Sequence, residues 1–215
     1  MEIKDICSHI DHTLLSPTST WDEVRAICEE ALEYRAASVC IPPCYVKDAA
    51  KFLAGRVPVC TVIGFPNGYS TTAAKKEETL QAIRDGAEEI DMVINVAFLK
   101  DGRGDEVWEE IAALRKAAAG KILKVIVETC YLTEEEKELM CQMVKETGAD
   151  YIKTSTGFGT GNATFEDVAL FARCLAGSGV KIKASGGIRT WEDAKKFLAL
   201  GADRLGSSAL IKSLV

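Results

Sequence analysis

The segment "TGADYIK" (Thr147–Lys153) ends a helix and begins a strand within seven residues. Its glycine accepts the left-handed backbone that closes a helix, because no Cβ resists it. Alanine and an acid follow, and then the chain turns apolar. The same signature returns as "DGAEEID" (Asp85–Asp91) and "LGADRLG" (Leu200–Gly206). A stop followed at once by a strand is therefore an internal repeat.

Working outward, short apolar runs alternate with longer amphipathic segments. The runs are "SVCI" (Ser38–Ile41), "VCTVIGF" (Val59–Phe65), "EEIDMVIN" (Glu88–Asn95), "KILKVIVET" (Lys121–Thr129), "DYIKTS" (Asp150–Ser155), "VKIKAS" (Val180–Ser185) and "DRLGS" (Asp203–Ser207). Nearly continuous apolar strands suit a parallel sheet covered by helices. A less regular eighth, "SHIDHTLL" (Ser8–Leu15), opens the chain. Helix starts are legible as well. Thr20 with Glu23 and Thr133 with Glu136 have capping-box spacing, and Thr164 and Thr190 each precede an acid by three residues. Eight strand–helix units in 215 residues predict an α/β fold, a single (β/α)8 TIM barrel over residues 1–215. An open doubly wound sheet is the rival, but no G-x-G-x-x-G follows the first strand.

Composition narrows the function. With 47% hydrophobic and 27% charged residues and a net charge of −6, the chain reads as a globular protein whose acidic surface repels nucleic acid and anionic lipid. No apolar stretch reaches the ~20 residues of a membrane span, and no signal peptide is recognisable, so a cytoplasmic location is expected. The eight cysteines form no C-x-x-C pair and only His9 and His12 accompany them, so no metal is expected.

Chemistry is suggested by Lys153 and Lys183, at the far ends of the sixth and seventh runs. In such a barrel the C-terminal strand ends share one mouth. Adjacent parallel strands lie about 4.8 Å apart, so the two amines are expected to approach each other. A second cation and burial both favour the neutral form of a lysine. A free lysine is neutral roughly once in 2,500 molecules at pH 7, whereas a neutral amine is what attack on a carbonyl requires. Asp91, inside the apolar "EEIDMVIN", is expected to stay ionised between the lysines and shuttle protons. Asp11 is a similar acid near a strand end. Glu128 and Asn95 are further candidates for the mouth, without assigned roles. The bland alternative is that these charges are solvated or form structural ion pairs. For a phosphate, the loops with Gly186 and Gly187, and with Gly206, Ser207 and Ser208, follow strands seven and eight, where these barrels bind anions. "STGFG" (Ser155–Gly159), with Gly157, is expected to complete the cradle.

Taken together, "YIKTSTGF", "KIKASGGIRT", "EIDMVIN", "VCTVIGFP" and "RLGSS" resemble the deoxyribose-phosphate aldolase family of class I aldolases, from about Asp11 to Ser208. The resemblance implies reversible cleavage of 2-deoxy-D-ribose 5-phosphate to acetaldehyde and D-glyceraldehyde 3-phosphate, with no metal or organic cofactor. It places the Schiff base on Lys153 and proton transfer on Asp91 and Lys183, with Lys181 a rival one layer deeper. It makes Cys40 a pocket-lining residue, which otherwise reads as a small core side chain. Sugar phosphates and aldehydes are the implied partners, and a homodimer or homotetramer the implied assembly. Phe158 stands where some relatives carry a lysine, and the chain stops at Val215 without the tyrosine-bearing tail of longer relatives. Both departures bear on phosphate affinity rather than on the covalent step. The alternatives are a Schiff-base aldolase for ketone donors, an inactive phosphate-binding barrel and a phosphate-binding isomerase.

Overall fold

The computed structural model describes residues 2–215. Eight strands, β1 (Ile10–Thr13), β2 (Ser38–Ile41), β3 (Val59–Ile63), β4 (Glu89–Val93), β5 (Ile122–Ile126), β6 (Tyr151–Lys153), β7 (Lys181–Ser185) and β8 (Arg204–Ser207), form a closed barrel in chain order. All pairings are parallel, and β8 closes on β1 through Asp11 opposite Gly206. All eight expected runs are strands, the irregular first included. The sixth is shorter than its apolar run, because Thr154 and Ser155 already belong to the loop.

Helix α1 (Ile3–Cys7) precedes β1. Helices α2 (Trp21–Tyr34), α3 (Val46–Leu53), α4 (Thr72–Arg84), α5 (Val96–Lys100), α6 (Gly104–Ala117), α7 (Glu134–Thr147), α8 (Phe165–Cys174) and α9 (Trp191–Ala199) follow the strands. Their starts obey the caps: Thr20 and Thr133 form reciprocal capping boxes with Glu23 and Glu136, while Thr164 and Thr190 accept from the Asp167 and Asp193 N–H groups. Each cap satisfies an orphan amide, worth about 1 kcal/mol. At the stops, Gly148 takes the left-handed conformation at φ 69°, and Gly86 and Gly201 have φ 107° and 109°. Arg35 and Ala54 end α2 and α3 in the same left-handed region without glycine's freedom. The sequence repeat therefore marks three of the stops and misses these two.

Strand alternation sorts the side chains into two environments. Outward-facing Ile90, Met92, Leu123, Val125, Ile152, Ile182 and Ala184 join the main apolar core with the helices. Helix α2 contributes Val24, Ile27, Cys28 and Ala31, spaced as one helical face. The inward positions hold Asp11, Glu89, Asp91, Lys124, Lys153 and Lys183, all buried, with a small apolar wall of Cys40, Cys60 and Val62. Barrels of this type usually fill that space with Val, Ile and Leu. This one fills it with charge.

Candidate active site

The inward charges form one connected network. Asp91 Oδ2 accepts from Lys153 Nζ at 2.7 Å and from Lys183 Nζ at 2.7 Å, while Asp91 Oδ1 accepts from Lys124 Nζ at 2.8 Å. Lys183 Nζ also meets Asp11 Oδ2 at 2.5 Å. One layer below, Lys124 Nζ lies 2.6 Å from Glu89 Oε2, and Arg204 donates to Glu89 Oε1 at 3.0 Å and to Asp11. Lys153 and Lys183 are register partners on neighbouring strands, which is why both reach one oxygen. Lys183 is the middle residue of β7 rather than its end, since the strand continues through Ala184 and Ser185.

Burial alone would raise the Asp91 carboxyl, yet Lys124, Lys153 and Lys183 outweigh it and hold Asp91 well below the ordinary range. Asp11 is held down in the same way, against its burial, by Lys183, Lys124 and Arg204. Burial works against the Lys183 ammonium, but Asp11 and Asp91 push it above the usual lysine range. Lys183 is thus a fixed cation, and the expected picture of two equivalent crowded amines is replaced by a network of three lysines and an arginine against three carboxylates.

Above this network lies a cavity of about 450 Å³. Lys153 is the one member of the network that lines it, with Gly157, Phe158, Gly186, Gly187, Arg189, Gly206, Ser207 and Ser208 around the wall. Gly157, Gly186 and Gly187 all have positive φ, at 84°, 84° and 75°. A Cβ on Gly187 would stand 2.9 Å from Asn162 Cβ and Cγ, so only glycine lets these loops approach. Ser207 is otherwise engaged: its hydroxyl donates to Ile188 O at 2.8 Å and accepts from the Ala209 and Leu210 N–H groups. Arg189, passed over in the sequence, adds a guanidinium to the same wall.

The remaining candidates lie apart from the cavity. Cys40 is fully buried in the apolar wall beneath it, with Leu15 and Phe65 packed alongside. Glu128, left-handed at φ 56°, accepts from Thr156 N–H and Oγ1 at 3.1 and 2.5 Å, which holds the loop after Lys153. It lines a separate hollow of about 140 Å³. Asn95 caps α5 through the Phe98 N–H, and Lys181 is exposed, with Nζ 5.7 Å from the Tyr151 ring centre. A larger hollow of about 1060 Å³ lies by the N-terminal ends of β3 and β5. There Arg115 is spent on Asp150, Ala118 O and Lys121 O, and Lys121 pairs with Glu88. Two triads, Cys40–Cys60–Asp91 and Asp11–Cys60–Glu89, bring donor atoms within 4.8 Å of one another. The Lys124 ammonium, 3.3 Å from Cys60 Sγ and in contact with Asp91 and Glu89, takes the place a metal cation would need.

A buried carboxylate clasped by three lysines, one of them opening on a glycine-walled barrel cavity, is suited to imine chemistry on a small phosphorylated carbonyl compound. The comparison with known proteins agrees: the profile of the DeoC/LacD family aldolases matches residues 6–211. The chain belongs to the DeoC/LacD aldolase family. A deoxyribose-phosphate aldolase of Streptococcus agalactiae serotype Ia is 58% identical over 212 residues, covering 99% of this chain and 95% of that protein. One from Clostridium botulinum (strain Alaska E43 / Type E3) is 54% identical over 98% of this chain and 95% of its own length. The tetrameric deoxyribose phosphate aldolase of Aeropyrum pernix superposes with a TM-score of 0.92 at 32% identity, over 100% of this chain and 94% of that one. Within this DeoC/LacD aldolase, Lys124, Glu89 and Arg204 are the network members that the sequence reading missed. The available signal was charge on the inward phase of apolar strands, the same signal that singled out Asp91.

Proposed function

We propose that this chain cleaves 2-deoxy-D-ribose 5-phosphate reversibly to acetaldehyde and D-glyceraldehyde 3-phosphate through an imine on Lys153. The observation that carries this reading is Asp91 Oδ2, shared at 2.7 Å by Lys153, which faces the cavity, and by Lys183, which does not. Relatives named deoxyribose-phosphate aldolase, identical to this chain at more than half their positions, support the substrate.

In the cleavage direction the Lys153 amine adds to the C1 aldehyde, and loss of water leaves the protonated imine. A base takes the C3 hydroxyl proton. The C2–C3 electron pair then flows into the imine, releasing glyceraldehyde 3-phosphate and leaving an enamine. Protonation of that enamine at carbon and hydrolysis return acetaldehyde and free Lys153. Asp91 is placed to receive and return protons beside Lys153, and Lys183, kept cationic by two carboxylates, steadies the charge that moves. The phosphate would lie against the Gly157, Gly186–Gly187 and Gly206–Ser208 loops, with Arg189 adding a positive charge. Phe158, edge-to-face with Phe65 at 5.3 Å, gives the rim an apolar side.

Acetaldehyde followed by borohydride should add one ethyl group, mapped by peptide mass to Lys153. Lys153→Met should abolish both the adduct and cleavage while keeping the fold. An adduct on another lysine, or full cleavage by Lys153→Met, overturns the assignment. The tetrameric Aeropyrum pernix relative supports a homodimer or homotetramer, which light scattering resolves. Eight free cysteines fit a reducing, cytoplasmic setting.

A further inference from the structure

The lower layer of the network touches no part of the cavity, and the reaction above assigns it nothing. Glu89, Lys124 and Arg204 nevertheless converge there, tied upward through Asp91 Oδ1 and Asp11. Charge can be counted because these groups contact one another in one largely buried cluster, with Arg204 the most exposed of them. Lys124, Lys153, Lys183 and Arg204 are four cations, and Asp11, Glu89 and Asp91 are three carboxylates. One positive charge has no counterpart, and an uncompensated charge in a low-dielectric interior is costly.

The cheapest remedy is loss of a proton from one cation. Arg204 does not release its proton in a protein. Lys124 would forfeit contacts with Asp91, Glu89 and Asp11, and Lys183 contacts with Asp91 and Asp11. Lys153 touches a single carboxylate and alone opens on the cavity.

We propose that Arg204, held by Glu89 and Asp11, is a positioning residue that sets the charge of the reacting network, supplying the surplus positive charge that Lys153 relieves by giving up its proton. This rests on the reading of Lys153 as the imine-forming residue. The other inward groups leave the count intact. Burial pushes the Cys60 thiol and the Tyr151 phenol up, so β3 and β6 add no negative charge there. Lys181 on β7 is exposed, and water screens its charge. Cys40 on β2 is the competitor, because its hydrogen bond with Cys60 lowers it and a thiolate would absorb the surplus instead.

The test follows the pH dependence of borohydride-trapped acetaldehyde adduct at Lys153 in four proteins. In wild type the count is four against three. Arg204→Met makes it three against three, and Glu89→Gln four against two. The double variant, three against two, restores the surplus while lacking both side-chain charges. At an effective dielectric of ~20 and a separation of ~8 Å, one unit charge moves a titration by roughly 1.5 pH units. The midpoint for adduct formation should therefore rise by about that much in Arg204→Met, cutting reactive amine at least tenfold on the acid side. It should fall in Glu89→Gln and return close to wild type in the double variant. Glu89→Gln preserves shape, which keeps the test alive should Arg204→Met fold poorly. Unchanged midpoints in both single variants, a double variant no nearer to wild type than Arg204→Met, or an equal shift in Cys40→Ala would each overturn the inference while leaving the Lys153 imine intact. Absence of a Lys153 adduct in wild type would overturn the imine reading itself.

Discussion

Lys75 is fully buried between α4 and α6, and the consequence of removing its charge follows from its contacts. Its ammonium donates to Val93 O at 2.7 Å and to Glu110 Oε1 at 2.8 Å, while Glu110 Oε2 accepts from the Asn95 N–H at 3.1 Å. Lys75→Met keeps the stem volume but strands a carboxylate that is only 3% exposed. Breaking a buried pair from one side costs about 3–5 kcal/mol, because the remaining charge has neither water nor partner. For a chain of this size that corresponds to a fall in Tm of roughly 6–20 °C. Burial already pushes the Glu110 carboxyl above its ordinary range even with Lys75 present. Without Lys75 it rises further, so the folded variant binds a proton that the unfolded chain releases. The sign is then fixed: the loss is smallest near pH 4 and grows as pH climbs through the raised folded value. Lys75→Met/Glu110→Leu removes both charges and should recover at least half of the loss. Thermal unfolding of the three proteins at pH 5 and pH 7.5 decides the matter. A Lys75→Met loss below about 1 kcal/mol, or a double variant as unstable as the sum of the singles, would refute the argument.

Two further outcomes follow from the site. Gly187→Ala forces a Cβ to 2.9 Å from Asn162 at a φ of 75°, so the loop must shift; overpacking of this kind costs about 1–3 kcal/mol. Steady-state kinetics should show KM for the phosphorylated sugar rising tenfold or more with a smaller change in kcat, and an unchanged KM would detach this loop from phosphate. Asp11 and Asp91 are both held below the ordinary carboxylate range. The stability they contribute is complete above about pH 5 and is lost as pH falls below about 4, with a slope near 1.4 kcal/mol per pH unit for each carboxyl. Urea unfolding between pH 5 and pH 3 should show the two slopes added at the acid end and fall to about half of that in Asp11→Asn, where Asp91 alone remains; a flat wild-type profile would contradict it.

The barrel was legible in the sequence because its signals are local. Gly86, Gly148 and Gly201 each close a helix within two or three residues of a strand, and Thr20, Thr133, Thr164 and Thr190 each declare a start through the residue three positions on. Lys153, Lys183 and Asp91 stood out because a charge inside an apolar run needs a reason. Lys124 has the same credentials in "KILKVIVET", but its partners come from β1 and β4, and nothing near it in the chain announces them. Arg204 was absorbed into the stop signal "LGADRLG". Ser207 shows the reverse error, a hydroxyl that suits an anion by type but is committed to the Ile188 carbonyl and the Ala209 and Leu210 amides. Hydrogen-bond commitments of this kind depend on loop geometry, which residue type does not encode.

A charged barrel interior raises the question of what holds the strands while the reaction is under way. Alternation supplies most of the answer, since Ile90, Met92, Val125, Ile152 and Ile182 bury their side chains outside the barrel against the helices, and burying each contributes roughly 1.5–3 kcal/mol. The inner face of each strand can then carry ions without being responsible for its stability. At β4 the division is incomplete. Asp91 lies two residues before Val93, whose carbonyl is gripped from outside by Lys75, and four before Asn95, whose amide is gripped by Glu110. The strand end bearing the shared carboxylate is thus clamped by one ion pair outside the barrel and loaded by three lysines inside it. Loosening the outer clamp should disturb the inner geometry even though the clamp touches no reacting atom. Lys75→Met is therefore expected to lower kcat at temperatures where it is still folded, which separates a clamp on β4 from simple support of the helices.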